Sequence, residues 1–414
     1  MEILKITQEL ENMFSSYDLC RPQANQIKLL REKLQKREIT IAVIGQFKRG
    51  KTTLVNNVLE KNLLPVGIVP ITAAVTRISY GKEKAQVIFE NGLKEDVQIS
   101  ELSQYISEQE NHDNRLGVSE VRILTEAEFL KEGLVLVDTP GVGSVHEKNS
   151  QKAYEFVKES DAVIFMLSVD SPINQIETEF LENVKHYAGK FYFSVNKIDV
   201  IDEDELKEYL AYCRGLISGL MQRADVKLFA VSAKKGRGVQ ELKSAIASDL
   251  SETAGEIMEQ SVRLKLLEIL KSTKLQISSY RNVLNMAPNV FNSRFKEMHE
   301  IISKLRDENN MQTGMKDIPV TKLNEEKSYL IVKIKELFGI EYYYDIEKIE
   351  ATDTITSEEY IKRAEALYTE LETTLNTRFM YKDENAYTVA RRIEDLNMLM
   401  RKMEQYQDLL QAKA

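Results

Sequence analysis

The chain is poor in cysteine, has no long apolar run, and carries almost no turn chemistry in its last third. Each shortage removes a class of protein. Two cysteines, Cys20 and Cys213, without metal-ligand spacing argue against a disulfide framework or a zinc site. No stretch reaches the roughly 18 consecutive apolar residues of a membrane-spanning helix. The start, Met1-Glu2-Ile3-Leu4-Lys5, lacks the basic and apolar segments of a secretion signal, so a reducing cytoplasm is the expected compartment. Positive charge is also short. A net charge of −9 argues against nucleic acid as the main partner and against simple electrostatic capture by anionic lipid.

Glycine and proline are unevenly spread. Of 17 glycines, 15 lie between Gly45 and Gly255, and only Pro288 and Pro319 of seven prolines follow residue 172. The middle of the chain therefore reads as turn-rich α/β and the last 160 or so residues as long helices. Val389, Leu396, Met403 and Leu410 repeat every seven positions, interleaved with Ile393 and Met400, the stripe of a helical bundle. Tyr360, Ala364, Leu367, Leu371 and Leu375 form a second stripe, and Leu323, Leu330, Ile334 and Leu337 a third. Ile3, Ile6, Leu10 and Met13 mark an amphipathic helix at the start, and Ile27, Leu30 and Leu34 another after Arg21-Pro22. At 414 residues two or three structural units are expected. They are N-terminal neck helices (1–37), an α/β domain with a mostly parallel sheet and helices on both faces (38–250), and a helical neck and trunk (251–414). Packing the terminal helices together, with joints at Arg21-Pro22, at Lys36–Glu38 and near Gly255, would make one stalk.

What is abundant is phosphate and base chemistry. Gly45-Gln46-Phe47-Lys48-Arg49-Gly50-Lys51-Thr52 is a full G-x-x-x-x-G-K-[ST] phosphate loop. It follows the apolar run Ile39–Ile44 and leads through Thr53 into a helix start, the strand–loop–helix setting that the chemistry needs. Glycines let the backbone wrap a phosphate, and the helix N-terminus adds its positive end. Lys51 is expected at the β and γ phosphates and the Thr52 hydroxyl on Mg2+. The run Leu134–Val137 ends in Asp138-Thr139-Pro140-Gly141, where Asp138 can hold a Mg2+-bound water and the Gly141 amide can meet a γ-phosphate. After Lys190–Val195 stands Asn196-Lys197-Ile198-Asp199. Asp199 can accept two hydrogen bonds from guanine that adenine does not offer, Asn196 supports the loop and the base's far edge, and the Lys197 stem covers the ring. Ser232-Ala233-Lys234 follows another strand-like run, with amides that can meet the base carbonyl. Each tetrapeptide is weak alone; in this order, each at a strand end, they predict binding of GTP rather than ATP.

The chain resembles the dynamin-like large GTPases, and among them the bacterial dynamin-like proteins, which are related to mitofusins, atlastins and guanylate-binding proteins. Residues Gly45–Asn56 carry the resemblance, with Leu63-Leu64-Pro65, Pro70-Ile71-Thr72, Asp138-Thr139-Pro140-Gly141 and Asn196-Lys197-Ile198-Asp199. Gly45 and Asp138 stand 93 positions apart, which leaves room for an enlarged GTPase domain with strand-like Gln86–Phe89 and Glu120–Leu124 around a helix-like Leu102–Gln109. The resemblance implies GTP hydrolysis with Mg2+, with Thr72 closing over metal and γ-phosphate. Thr76, in a strand-like alternation, is read as structural. It also implies pairing of GTPase domains, as a homodimer or with a second dynamin-like chain, and peripheral contact with the inner face of the cell membrane.

The catalytic group is less plain. Val142 stands where small GTPases carry a water-orienting glutamine, and Phe47 cannot orient water. Lys48 occupies the position of the cis arginine finger in the guanylate-binding proteins, so it is expected either to offset charge on the phosphates or to point to solvent or a partner domain. His146 is an auxiliary candidate. Tyr342-Tyr343-Tyr344 could form an aromatic tip at a membrane, although residues 341–359 hold seven acidic side chains against one lysine, Lys348. Two other readings stay open: a GTP-controlled assembly partner that touches no lipid, and an Era-like RNA-associated GTPase.

Overall fold

The computed structural model describes residues 2–66, 74–107, 109–111, 114–142, 153–154, 156–223, 226–311, 318–339, 354–379 and 386–412. Two compact units emerge, Met1–Leu267 and Glu268–Lys413.

The first unit is built on a nine-stranded sheet. Its strands are β1 (Ile39–Gly45), β2 (Val75–Tyr80), β3 (Lys84–Phe89), β4 (Lys94–Val97), β5 (Val118–Thr125), β6 (Leu134–Asp138), β7 (Ala162–Ser168), β8 (Lys190–Asn196) and β9 (Leu228–Ala230), in the order β4-β3-β5-β2-β6-β1-β7-β8-β9. β6, β1, β7, β8 and β9 run parallel, whereas β2 is antiparallel to β6 and parallel to β5. β1 and β7 are buried along their whole length, as their sequences, apolar but for Thr40 and Ser168, suit. The period-2 pleat sends Ile39, Ile41 and Val43 into one core and Ala42 and Ile44 into the other. Helix α3 (Lys51–Leu59) covers the first face with Leu54, Val55 and Val58. Phe180, Leu181, Cys213 and Ile217 cover the second, from the helices Gln175–Val184 and Glu203–Met221.

The two N-terminal helices, α1 (Glu2–Ser15) and α2 (Arg21–Lys36), pack on each other through Ile3, Ile6, Leu10, Phe14 and Ile27, with Pro22 in the first turn of α2. Arg31 of α2 meets Glu11 of α1 at 2.7 Å. The hairpin is tied to the base of the sheet by the fully buried Asp161. Asp161 accepts the Thr40 amide and the Ser261 hydroxyl, both at 2.8 Å, and pairs with Lys33 at 2.6 Å and Lys265 at 3.4 Å.

One sequence expectation fails here. Gly255 is not a turn but lies inside the helix Val239–Leu284, which passes residue 250 without a break. A glycine costs a helix about 1 kcal/mol. Burial of Leu242, Ile246, Met258, Val262 and Leu266 along the helix outweighs that cost, and nothing packs where a Gly255 side chain would stand. The helix expected near Leu102–Gln109 shrinks to Ser103–Ile106.

The second unit contains the end of that helix and the helices Pro288–Asn310, Val320–Phe338, Ser357–Phe379 and Ala386–Gln411, with a two-residue ladder pairing Ile318 and Pro319 with Ile355 and Thr354. Its core gathers the sequence stripes: Leu323, Leu330 and Ile334 meet Tyr360, Ala364 and Leu371 beside Phe291 and Phe338. Leu396, Met403 and Leu410 are buried as the heptad pattern requires. Inside this apolar core, Glu326 accepts hydrogen bonds from Tyr360 and Tyr368, and Asn309 donates to Tyr368 at 2.9 Å. Tyr342-Tyr343-Tyr344 and Lys348 fall outside the described residues.

Candidate functional site

The C-terminal ends of β1, β6, β7 and β8 lie side by side: Val43 is in register with Asp138, Gly45 with Met166 and Ser168 with Asn196. This is the edge at which parallel α/β sheets bind ligands, and all the described sequence candidates converge on it.

The phosphate loop turns into α3 through Gly50, whose φ of +90° is left-handed. A Cβ there would stand 2.4 Å from Asn196 Nδ2. Asn196 is a strap: its Nδ2 donates to Arg49 O at 2.8 Å and its Oδ1 accepts the Ala233 amide at 2.8 Å, joining the phosphate loop to the loop after β9. Gly50→Ala should therefore break both, lowering thermal stability by about 1–3 kcal/mol and abolishing nucleotide binding. Parallel melting and GDP titration check this.

Lys51 lies buried, with its ammonium folded onto Gly45 O (2.9 Å) and Gln46 O (3.2 Å). Burial pushes its pKa down to about 8, against the pull of the Asp138 and Glu177 carboxylates. Thr52 donates from Oγ1 to Asp138 Oδ2 at 2.7 Å. Asp138 is 1% exposed, and its other oxygen, Oδ1, is buried with no partner; burial pushes the carboxyl up to about 6. Thr76 stands opposite Asp138 in the β2–β6 ladder, and its buried hydroxyl is also unpartnered. A hydroxyl and a carboxylate with an orphaned oxygen fit a hard cation. Among the described residues no cluster of three or more His, Cys, Asp or Glu could hold a metal by itself. The set suits an ion that takes its remaining ligands from water and phosphate, as Mg2+ does. Thr53 follows in the first turn of α3.

The Asp138-Thr139-Pro140-Gly141 turn is pinned by Thr139 Oγ1 donating to Val43 O at 2.8 Å. Gly141 comes so close to the phosphate loop that a Cβ would meet Phe47 Cα at 2.8 Å. Val142 closes the contact, its amide on Gly45 O and its carbonyl accepting the Phe47 amide. Lys48 is exposed in a left-handed conformation (φ +64°), its ammonium 5.2 Å from the Phe47 ring centre. Thr72 and His146 lie outside the described residues. Asn56 grips Leu64 through both backbone groups, fixing where the chain leaves for Thr72.

At the base end, Asp199 accepts the Ser232 hydroxyl at 2.7 Å, and that bond, aided by Lys235 at 3.5 Å, holds its carboxyl below the usual range. Lys197, also left-handed at φ +62°, reaches Asp170 at 2.5 Å. Lys234 is exposed at the rim.

Two residues acquire roles that the sequence did not reveal. The Arg49 side chain is turned neither to the phosphate side nor to solvent: it is buried on Glu177, forked at 2.9 and 2.7 Å. Gln46 accepts from Asn174, the residue that caps the helix Gln175–Val184. The pattern Asn174-x-x-Glu177 is a legible capping box, but no sequence signal joins it to Arg49, 128 positions away.

Residues 41–199 match the model of the Dynamin family. That stretch is a Dynamin-family GTPase domain. It is 36% identical over 276 residues to an "Uncharacterized protein in xynA 3'region" of Caldicellulosiruptor sp., covering 66% of each chain. It is 24% identical over 389 residues to Dynamin-like protein 2 of Campylobacter jejuni, covering 92% of this chain and 58% of that one. The chain thus spans two thirds or less of the length of these curated relatives. A solved structure of an oligomerised bacterial dynamin pair is similar at a TM-score of 0.45 and 20% identity, covering 97% of this chain and 78% of that one.

Proposed function

We propose that this chain is a mechanochemical GTPase. In this reading it binds GTP with Mg2+, hydrolyses it to GDP and phosphate, pairs its GTPase domains across their nucleotide faces, and turns the cycle into movement of its helices during membrane remodelling, tethering or fusion. The observation that carries the reading is the alignment, along one sheet edge, of a phosphate lysine, a Thr52–Asp138 pair with an orphaned oxygen, and a Ser232-held Asp199.

In this reading the residues divide the work. Lys51 would leave its carbonyl partners for the β and γ phosphates, and Thr52, Asp138 and Thr72 would hold Mg2+, which when bound offsets charge on the phosphate oxygens. Asp199 would read guanine. Lys48 would act from the exposed lip of the loop, as a point charge weaker than an arginine finger. Val142 carries no group that can orient water and is locked to Gly45 and Phe47. Completion of the site by a facing domain, from a second copy or another dynamin-like chain, supplies what a lone subunit lacks.

The domain plan belongs to the same proposal: residues 1–37 and 251–414 as neck and trunk, residues 38–250 as the GTPase domain. So does a peripheral, cytoplasmic place at the membrane; among the described residues no helix is long and apolar enough to cross one. Turnover per molecule, measured over a hundredfold range of protein concentration with and without liposomes, should rise with concentration and rise further on lipid. Flat turnover, with a monomer in the presence of a transition-state mimic, defeats the pairing mechanism. Concentration dependence without a lipid response favours the assembly-partner reading, for which the net charge of −9 speaks.

A further inference from the structure

Arg49 sits within the phosphate loop, yet its guanidinium is spent elsewhere. Nε and one terminal nitrogen fork onto Glu177, and the other terminal nitrogen donates to Ser168 O, Ser168 Oγ and Ser171 O, at 2.8–3.3 Å. Arg49 is 2% exposed and Glu177 0%. The segment they hold, 168–174, leaves the end of β7 between the phosphate loop and the base loop. Its Val169 amide donates to Asn196 O, and its Asp170 pairs with Lys197. Ser168 Oγ links the two systems, accepting from Arg49 and donating to Asp170. An unbroken polar chain thus runs from the phosphate loop to the lysine of the base-reading motif.

We propose that the buried Arg49–Glu177 pair is a positioning device that sets the spacing between phosphate and base subsites, and thereby GDP residence time and guanine preference, without touching nucleotide. The proposal rests on the guanine-nucleotide reading above. Burying an ion pair does little for stability by itself, because the desolvation cost of the two charges consumes most of their attraction. The pair is therefore better explained by the geometry it imposes. The forked guanidinium fixes direction as well as distance, which a lysine in its place would not do. Glu177 is doubly committed, since it also closes the capping box with Asn174, so any shift of the phosphate loop is felt at the start of the helix Gln175–Val184.

The test separates position from stability by replacing both partners together. In Arg49→Met with Glu177→Met two apolar side chains take the buried volume and no charge is left unpaired, so the fold should persist, at a melting temperature lowered by the donors lost to the Ser168 and Ser171 carbonyls and by the lost capping box. Release of a fluorescent GDP should nevertheless quicken at least tenfold, and the preference for GDP over IDP should fall. Arg49→Lys should quicken release by a smaller factor, with the same loss of preference. A folded double variant with the parent's release rate, or with an unchanged GDP-to-IDP ratio, overturns the proposal. If the double variant does not fold, Arg49→Lys decides by the same two readouts. A parent that binds no GDP removes the underlying reading instead, so the two failures are distinct.

Discussion

Asp199→Asn should cost guanine-nucleotide affinity a factor of roughly 10^3–10^4 and move the preference towards xanthine nucleotides. Asp199 is fixed by the Ser232 hydroxyl with its carboxylate held in the charged form, so it offers guanine two acceptors at once. Asparagine keeps one acceptor and places a donor where guanine also donates. That mismatch leaves a polar pair unsatisfied in the site, and the penalty of an unmade hydrogen bond exceeds the worth of a made one. Xanthine carries a carbonyl in place of the exocyclic amine and restores the match. The side chain is 16% exposed and joins no strand ladder, so the fold should persist. Calorimetric titration with GDP, XDP and ADP reads the result directly. GDP affinity within a few-fold of the parent would mean that the base is read elsewhere.

The parts of the site that the sequence made legible share a physical reason. The phosphate loop, Asp138–Gly141, Asn196–Asp199 and Ser232–Lys234 are short, contiguous, and stand at strand ends, the first three after largely buried strands and the last after the partly buried β9. Local order in sequence suffices because, in the proposed reading, backbone amides and one or two side chains would do the binding. What escaped was long-range pairing. Nothing in Arg49 announces Glu177, and the loop-supporting role expected of Asn196 does not name Arg49 O and the Ala233 amide as what it joins, because periodicity reports which face a residue takes and not what waits there. The helical stripes were readable for the same reason that the Gly255 joint was misread. A glycine is a turn signal only when nothing carries the helix past it, and here the exposed Gly255 lies between Leu242 and Ile246 before it and Met258, Val262 and Leu266 after it, all buried. The antiparallel insertion of β2 between β5 and β6, which sets Thr76 against Asp138, is likewise a property of topology rather than of any motif.

Lys51→Met should abolish turnover and at the same time leave the nucleotide-free protein at least as stable as the parent. Among the described residues the ammonium contacts no carboxylate and is held by Gly45 O and Gln46 O, and burial pulls its pKa from 10.5 down to about 8. Below about pH 8 the folded and unfolded chains both carry the proton, and the fold bears the full cost of burying the charge. Between about 8 and 10.5 the unfolded chain still holds a proton that the folded one has released, so the parent gains stability as pH rises through that window. A methionine of similar length carries no such cost. The variant's advantage should be on the order of 2–3 kcal/mol near neutral pH, less the two lost hydrogen bonds, and should shrink towards pH 10.5. Adding GDP or a GTP analogue with Mg2+ should reverse the ranking, since a ligand at a hundred times its Kd raises stability by about 2.7 kcal/mol and only the parent keeps the lysine that binds it. The crossing of two melting series, with and without nucleotide, is the decisive measurement. A variant that melts well below the parent without nucleotide at every pH would show that Lys51 is held for the fold, and a variant that still turns over GTP would remove it from the phosphate site.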